Sequence, residues 1–294
     1  LKTLFEALKS MITKNLRSTK WILQVLLVAA LYACQPQGEP LNVQTPPGSS
    51  QTATVRDQGE TPDPSGFHAF QDPDTPVEIL FIGNSHTFYN DLPQIFADLM
   101  ASGGYRVDVG QAARGGWSLS DHNNSSTTRS IISKKSWDYV VLQERGFVAN
   151  PETEMFPAVR SLDQLIRINN AETILFMTWG RREGLPSKGY PDYSSMQTRV
   201  TQYYQEIGDE LGLTIAPVGT AWANVVNRDP DMPLWDQDGS HPGPSGSYLA
   251  ACVFYAVFTG ESPEGLEFIT NLAPESAVLL QSIAAQTVLE LPNE

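Results

Sequence analysis

Five short apolar runs, each parted from the next by a stretch with helical spacing, leave this chain few ways to fold. The runs are Val77–Ile82, Tyr105–Val109, Asp138–Gln143, Thr173–Thr178 and Leu213–Val218. Most are rich in β-branched and aromatic residues and bounded by glycine or polar residues, so each reads as a buried strand. Between them, Leu92–Ala101 sets Ile95, Phe96 and Leu99 on one helical face and stops at Gly103-Gly104. Leu119–Lys134, Phe156–Ile168 and Met196–Leu211 read as further helices, followed by Tyr248–Phe258 and Pro274–Leu289. Apolar strands alternating with helices demand a parallel sheet covered on both faces, with right-handed crossovers. The expected fold is α/β: a three-layer α/β/α sandwich on a five-stranded parallel sheet.

Such sheets bind ligands beyond the carboxyl ends of their strands. That rule puts Ser85, the 113–118 loop, Gln143-Glu144, Thr178-Trp179 and the 235–242 loop on one rim. Ser85 follows the first strand and precedes a helix, where free backbone N–H groups face a developing oxyanion. Asp238 and His241 lie three apart on one loop, a spacing that lets the carboxylate orient the imidazole toward the serine. An unaided serine hydroxyl is a weak nucleophile at neutral pH and needs that base. Trp117, Glu144, Trp179 and Trp235 are candidates for the substrate pocket, with ordinary core packing or solvation as the competing readings. His86 faces either the rim or the helix packing; His122 reads as a surface histidine and Cys252 as inert core.

These residues resemble the SGNH (GDSL-type) hydrolase superfamily over about residues 77–260. Gly83-Asn84-Ser85 matches the serine block, with Asn84 where many members have Asp, and Asp238-Gly239-Ser240-His241-Pro242 matches the D-x-x-H block. Arg114-Gly115-Gly116-Trp117-Ser118 resembles the glycine block, with Gly116, or else Gly115, as the oxyanion glycine. The family's G-x-N-D is missing; Val141-Leu142-Gln143-Glu144 stands in its place. The resemblance implies an SGNH/flavodoxin-like sheet and a catalytic triad of Ser85, His241 and Asp238. It also implies an oxyanion hole from Ser85 and Gly116, with Gln143 replacing the asparagine. Implied with it is hydrolysis of a carboxylic ester, foremost an acetyl group on a carbohydrate, without metal or organic cofactor. An O-acyltransferase using the same triad and a non-catalytic glycan-binding lipoprotein are the rival expectations.

The rest of the 294 residues frames this domain. Lys14, Arg17 and Lys20 precede the apolar run Trp21–Leu31, too short for a comfortable span, and Leu31-Tyr32-Ala33-Cys34 resembles a bacterial lipobox. Residues 1–34 are therefore expected to be a lipoprotein signal peptide with Cys34 as the lipidation site, and Gln35 after it favours the outer membrane. Residues 35–73, rich in Pro, Gly, Ser and Thr, read as a flexible tether, leaving 74–294 as the hydrolase domain. A net charge of −14 excludes nucleic acid as a favoured partner. Two cysteines and four scattered histidines, without C-x-x-C or H-E-x-x-H, argue against zinc. The expected partners are a small ester or acylated glycan and, through Cys34, the membrane.

Overall fold

The structure, a computed structural model, describes residues 75–289; the expected signal segment, Cys34 and the tether lie outside the described residues. Strands β1 (Val77–Gly83), β2 (Val107–Ala113), β3 (Tyr139–Leu142), β4 (Glu172–Phe176) and β5 (Thr214–Ala216) form one sheet in the order β2-β1-β3-β4-β5. Every neighbouring pair is parallel. In register, Phe81 lies beside Val141 and Val141 beside Ile174, so alternate side chains line up on one face.

Alternation divides the core in two. Ile79, Phe81, Val141, Ile174 and Phe176 point to one side, where they meet α2 (Leu92–Ser102), α8 (Val218–Arg228), α9 (Pro244–Thr259) and α10 (Pro274–Leu289). Leu80, Ile82, Val140, Leu142 and Leu175 point to the other, against α3 (Leu119–Asn124), α4 (Ser126–Lys134), α6 (Phe156–Ile168) and α7 (Tyr193–Leu211). This is the expected three-layer sandwich. Among the described residues no helix is long and apolar enough to cross a membrane.

Several boundaries differ from the sequence reading. The second strand begins at Val107 and runs on to Ala113, because β1 offers a ladder partner at every position through Gly83. Gly110 fits in that strand because the Trp137 ring fills the space a Cβ would need. The expected single helix 119–134 breaks at Ser125, whose side chain accepts from the Thr128 N–H and caps α4; such a cap contributes about 1 kcal/mol. The fifth strand spans only Thr214–Ala216, and α8, which the sequence reading lacks, starts at once after Pro217. A short α5 (Pro151–Glu154) also precedes α6. Helix α9 starts at Pro244, in the first helical turn, where a missing N–H costs nothing.

Candidate active site

In this strand order the chain leaves β1 and β3 in opposite directions, and a crevice opens at their carboxyl ends. Ser85 occupies that point as the first residue of α1 (Ser85–Phe88). Gly83 is required just before it, since a Cβ there would collide with the side chains of Gln143 and Thr87. Asn84 is 2% exposed and joins three parts of the site. Its Oδ1 accepts from the His86 N–H at 3.1 Å, its Nδ2 donates to the Trp117 carbonyl at 2.8 Å, and its own N–H donates to Gln143 Oε1 at 2.8 Å. An aspartate could not make the bond to Trp117, which gives the asparagine at this position a physical reason.

The loop before α9 brings the other two residues across 156 positions of sequence. His241 Nε2 lies 2.8 Å from Ser85 Oγ, and His241 Nδ1 is hydrogen-bonded to Asp238 Oδ2. Asp238 Oδ1 accepts from the N–H groups of Ser240 at 2.8 Å and His241 at 2.9 Å. Desolvation pushes the Asp238 carboxyl up, but these hydrogen bonds and the imidazole outweigh it and hold the group at about 2. Asp238 is therefore a carboxylate throughout the neutral range.

The loop is fixed from several sides. Gly239 has φ of +65°, Asp236 N–H donates to the His241 carbonyl at 2.8 Å, and Trp179 Nε1 donates to the Ser240 carbonyl at 3.1 Å. Asn90, itself left-handed at φ of 53°, donates from Nδ2 to the Pro242 carbonyl and to Ser247 Oγ, both at 2.9 Å. The Tyr89 ring stacks on His241 at 4.3 Å. Neither Tyr89 nor Asn90 stood out in the sequence; the residues Phe88-Tyr89-Asn90-Asp91 between two helices were the only signal available.

A cavity of about 430 Å³ opens over the serine, lined by Ser85, Gly116, Trp179 and His241 among others. Gly116 is the third residue of a turn closed by the Trp117 N–H on the Arg114 carbonyl at 3.1 Å, and its φ of +75° suits glycine. His86 lies against the same cavity. Burial, the nearby His241 and Arg181 press its imidazole down to about 4, so it is neutral at pH 7.

Other predicted residues are placed elsewhere. Gln143 is wholly buried, and its carboxamide is already engaged. Oε1 accepts from the Asn84 N–H and the Thr87 hydroxyl, each at 2.8 Å, and Nε2 donates to the Glu144 carbonyl. It braces the turn beneath Ser85, and it is not among the residues lining the cavity over the serine. Glu144 is 1% exposed and outside the cavity lining; it accepts from the N–H groups of Leu119 and Arg145. Desolvation raises its carboxyl to about 7. Trp117 packs on His122 and under Arg114, and Trp235 lines a neighbouring cavity of about 680 Å³, so of the three tryptophans only Trp179 borders the serine's cavity. His122 is buried, not superficial: Nε2 meets the Gly83 carbonyl at 2.7 Å and Nδ1 meets Thr128 at 3.1 Å. Among the described residues no three His, Cys, Asp or Glu side chains gather as a metal site would need.

No protein-family model matches the chain, and no curated protein is similar to it in sequence. Solved structures are similar in fold. A DUF4886 family protein from Bacteroides uniformis superposes with a TM-score of 0.63 at 18% identity, covering 75% of this chain and 97% of that one. Axe2, an acetylxylan esterase from Geobacillus stearothermophilus, gives 0.50 at 15% identity, covering 67% and 97%. A GDSL-like lipase from Parabacteroides merdae gives 0.50 at 18% identity, covering 63% and 95%. The fold is SGNH-like. Within the SGNH-like fold, the rim at the ends of β1 and β3 carries Ser85 and receives Asp238 and His241 from the loop before α9.

Proposed function

We propose that this chain is a serine ester hydrolase that removes a small acyl group, acetyl foremost, from a carbohydrate. The observation that carries the reading is the 2.8 Å contact from Ser85 Oγ to His241 Nε2, with Asp238 on the other ring nitrogen. Ser85 Oγ bonds to the ester carbonyl carbon as its proton passes to Nε2. The oxyanion so formed accepts from the N–H groups of Ser85, free of an intrahelical acceptor at its helix start, and of Gly116. Collapse breaks the bond to the alcohol oxygen, which leaves with the proton from Nε2. Water then adds to the acyl carbon, gives a proton to Nε2, and Ser85 departs reprotonated. Asp238 holds the imidazole in the required tautomer and stabilises its charged form. The modest cavity favours a short acyl group, and the similarity in fold to an acetylxylan esterase favours a sugar acetate.

A fluorophosphonate probe tests the nucleophile: it should label the wild type, fail on Ser85→Ala and label His241→Ala weakly. Labelling that survives in Ser85→Ala refutes the assignment. Product analysis with an added glycan acceptor separates hydrolysis from acyl transfer, with free acid dominating on the present reading. Export and anchoring at the outer membrane through acylated Cys34 belong to the same proposal, supported by Leu31-Tyr32-Ala33-Cys34-Gln35. Cys34→Ala should move the protein out of the membrane fraction.

A further inference from the structure

The wall of the serine's cavity has a charge opposite to that of the chain. The protein carries a net charge of −14, yet the residues lining this cavity include Arg145 and Arg181 and not one aspartate or glutamate. Arg145 is half-exposed and tethered by Nη2 to Glu154 Oε2 at 2.8 Å, which fixes its stem at the rim. Arg181 is anchored through its main chain, whose N–H donates to Met196 Sδ at 3.3 Å. Its guanidinium has no hydrogen-bond or ion-pair partner among the described residues, although the neighbouring Arg182 pairs with Glu183. The one nearby buried carboxyl, Glu144, accepts from the N–H groups of Leu119 and Arg145 and lies 3.7 Å from Arg145 Nε, so Arg145 is paired and, among the described residues, the unpaired cation of the lining is Arg181.

A surface arginine placed only for solubility would point to bulk water. Arg181 is exposed, yet it borders a concave site beside Ser85 and helps press His86 toward neutrality. A cleft lined by one sign of charge concentrates ligands of the other sign, and guanidinium matches the planar, forked acceptors of an oxyanion. We propose that the cavity selects esters whose carbohydrate carries an oxyanion, a carboxylate or a sulfate, held by Arg181 with Arg145 at the rim. The inference rests on the reading of the site as an ester hydrolase and names the substrate class within it.

The full-length protein in detergent would be assayed on three monoacetates: of methyl glucoside, of methyl glucuronide and of methyl glucoside 6-sulfate. At least one anionic acetate should exceed the neutral one in kcat/KM by about tenfold, mainly through KM, as one charge-assisted contact supplies. The advantage should shrink as salt is added. The two anionic arms tell carboxylate from sulfate. Arg181→Gln should lower the anionic-to-neutral ratio about tenfold. Arg228→Gln, which removes the same charge from the exposed end of α8, should leave the ratio as it is. A wild-type ratio near one, or a ratio that survives Arg181→Gln, overturns the anion selectivity while Ser85-dependent hydrolysis stands. Absence of Ser85-dependent hydrolysis on all three overturns both readings.

Discussion

Glu144 and His86 are buried titratable groups, and they bias stability in opposite directions with pH. Burial raises the Glu144 carboxyl from 4.5 to about 7. Between those values the folded protein keeps a proton that the unfolded chain has lost, so stability falls as pH rises through the window. The full span is worth roughly 3 kcal/mol. His86 is lowered from 6.5 to about 4, so between those values the unfolded chain holds the extra proton and stability falls as pH drops. Glu144→Gln removes the first titration alone. Its stability relative to wild type should rise by about 2–3 kcal/mol between pH 5 and pH 8 in urea unfolding; a difference that stays flat with pH would contradict the buried, proton-retaining carboxyl. On the proposed reading, Asp238 acts on rate instead. Asp238→Asn keeps the shape but favours the wrong tautomer of His241, and kcat on a small acetate should fall by about 10³–10⁴. Circular dichroism should be unchanged. The serine, histidine and aspartate were legible in the sequence because their chemistry restricts the residue types and their spacing fits one rim. The role of Gln143 was not legible. Whether its carboxamide faces the cavity or the turn under Asn84 depends on a rotamer set by Thr87 and the Glu144 carbonyl.

Elements differ in how openly they announce themselves. Helix α6 was readable to the residue because its apolar stripe ends at a polar Asn-Asn pair. Helix α8 was not, since Val218 continues the apolar run of β5 and its N-cap is Pro217, with no Ser, Thr, Asp or Asn side chain to cap the helix. What forces the change is packing: Gly219 lies against the Thr178 carbonyl and the Gln197 side chain, with no room for a Cβ. Gly219→Ala must push α8 away from the end of β4, at a cost of about 1–3 kcal/mol. Because Thr178 precedes Trp179 in the cavity wall, kcat/KM should fall together with the unfolding midpoint. Gly116→Ala provides the contrast. Space is open around it, but φ of +75° is unfavourable for alanine, a strain of about 1–3 kcal/mol. If its N–H meets the oxyanion, kcat should fall with little change in KM; an equal loss in both parameters of Gly219→Ala and Gly116→Ala would deny Gly116 a distinct role.

For the whole molecule, the two hydrophobic clusters decide what can be removed. Their members run from Val77 to Ala284, and they cover both faces of one sheet. Each strand sends alternate residues to each cluster, so neither layer can melt without stripping the other from the same β-ribbon. The sheet order adds to this, since β1 lies inside the sheet and Ser85 follows at its end. A chain beginning at residue 75 should therefore unfold in one cooperative transition, within a few degrees of the full-length protein. It should also retain Ser85-dependent hydrolysis of soluble acetates while losing any membrane association. Differential scanning calorimetry beside an acetate assay checks this. Two separated transitions would mean that the layers fold independently. A large fall in the melting temperature would mean that residues 1–74 stabilise the domain through contacts of their own.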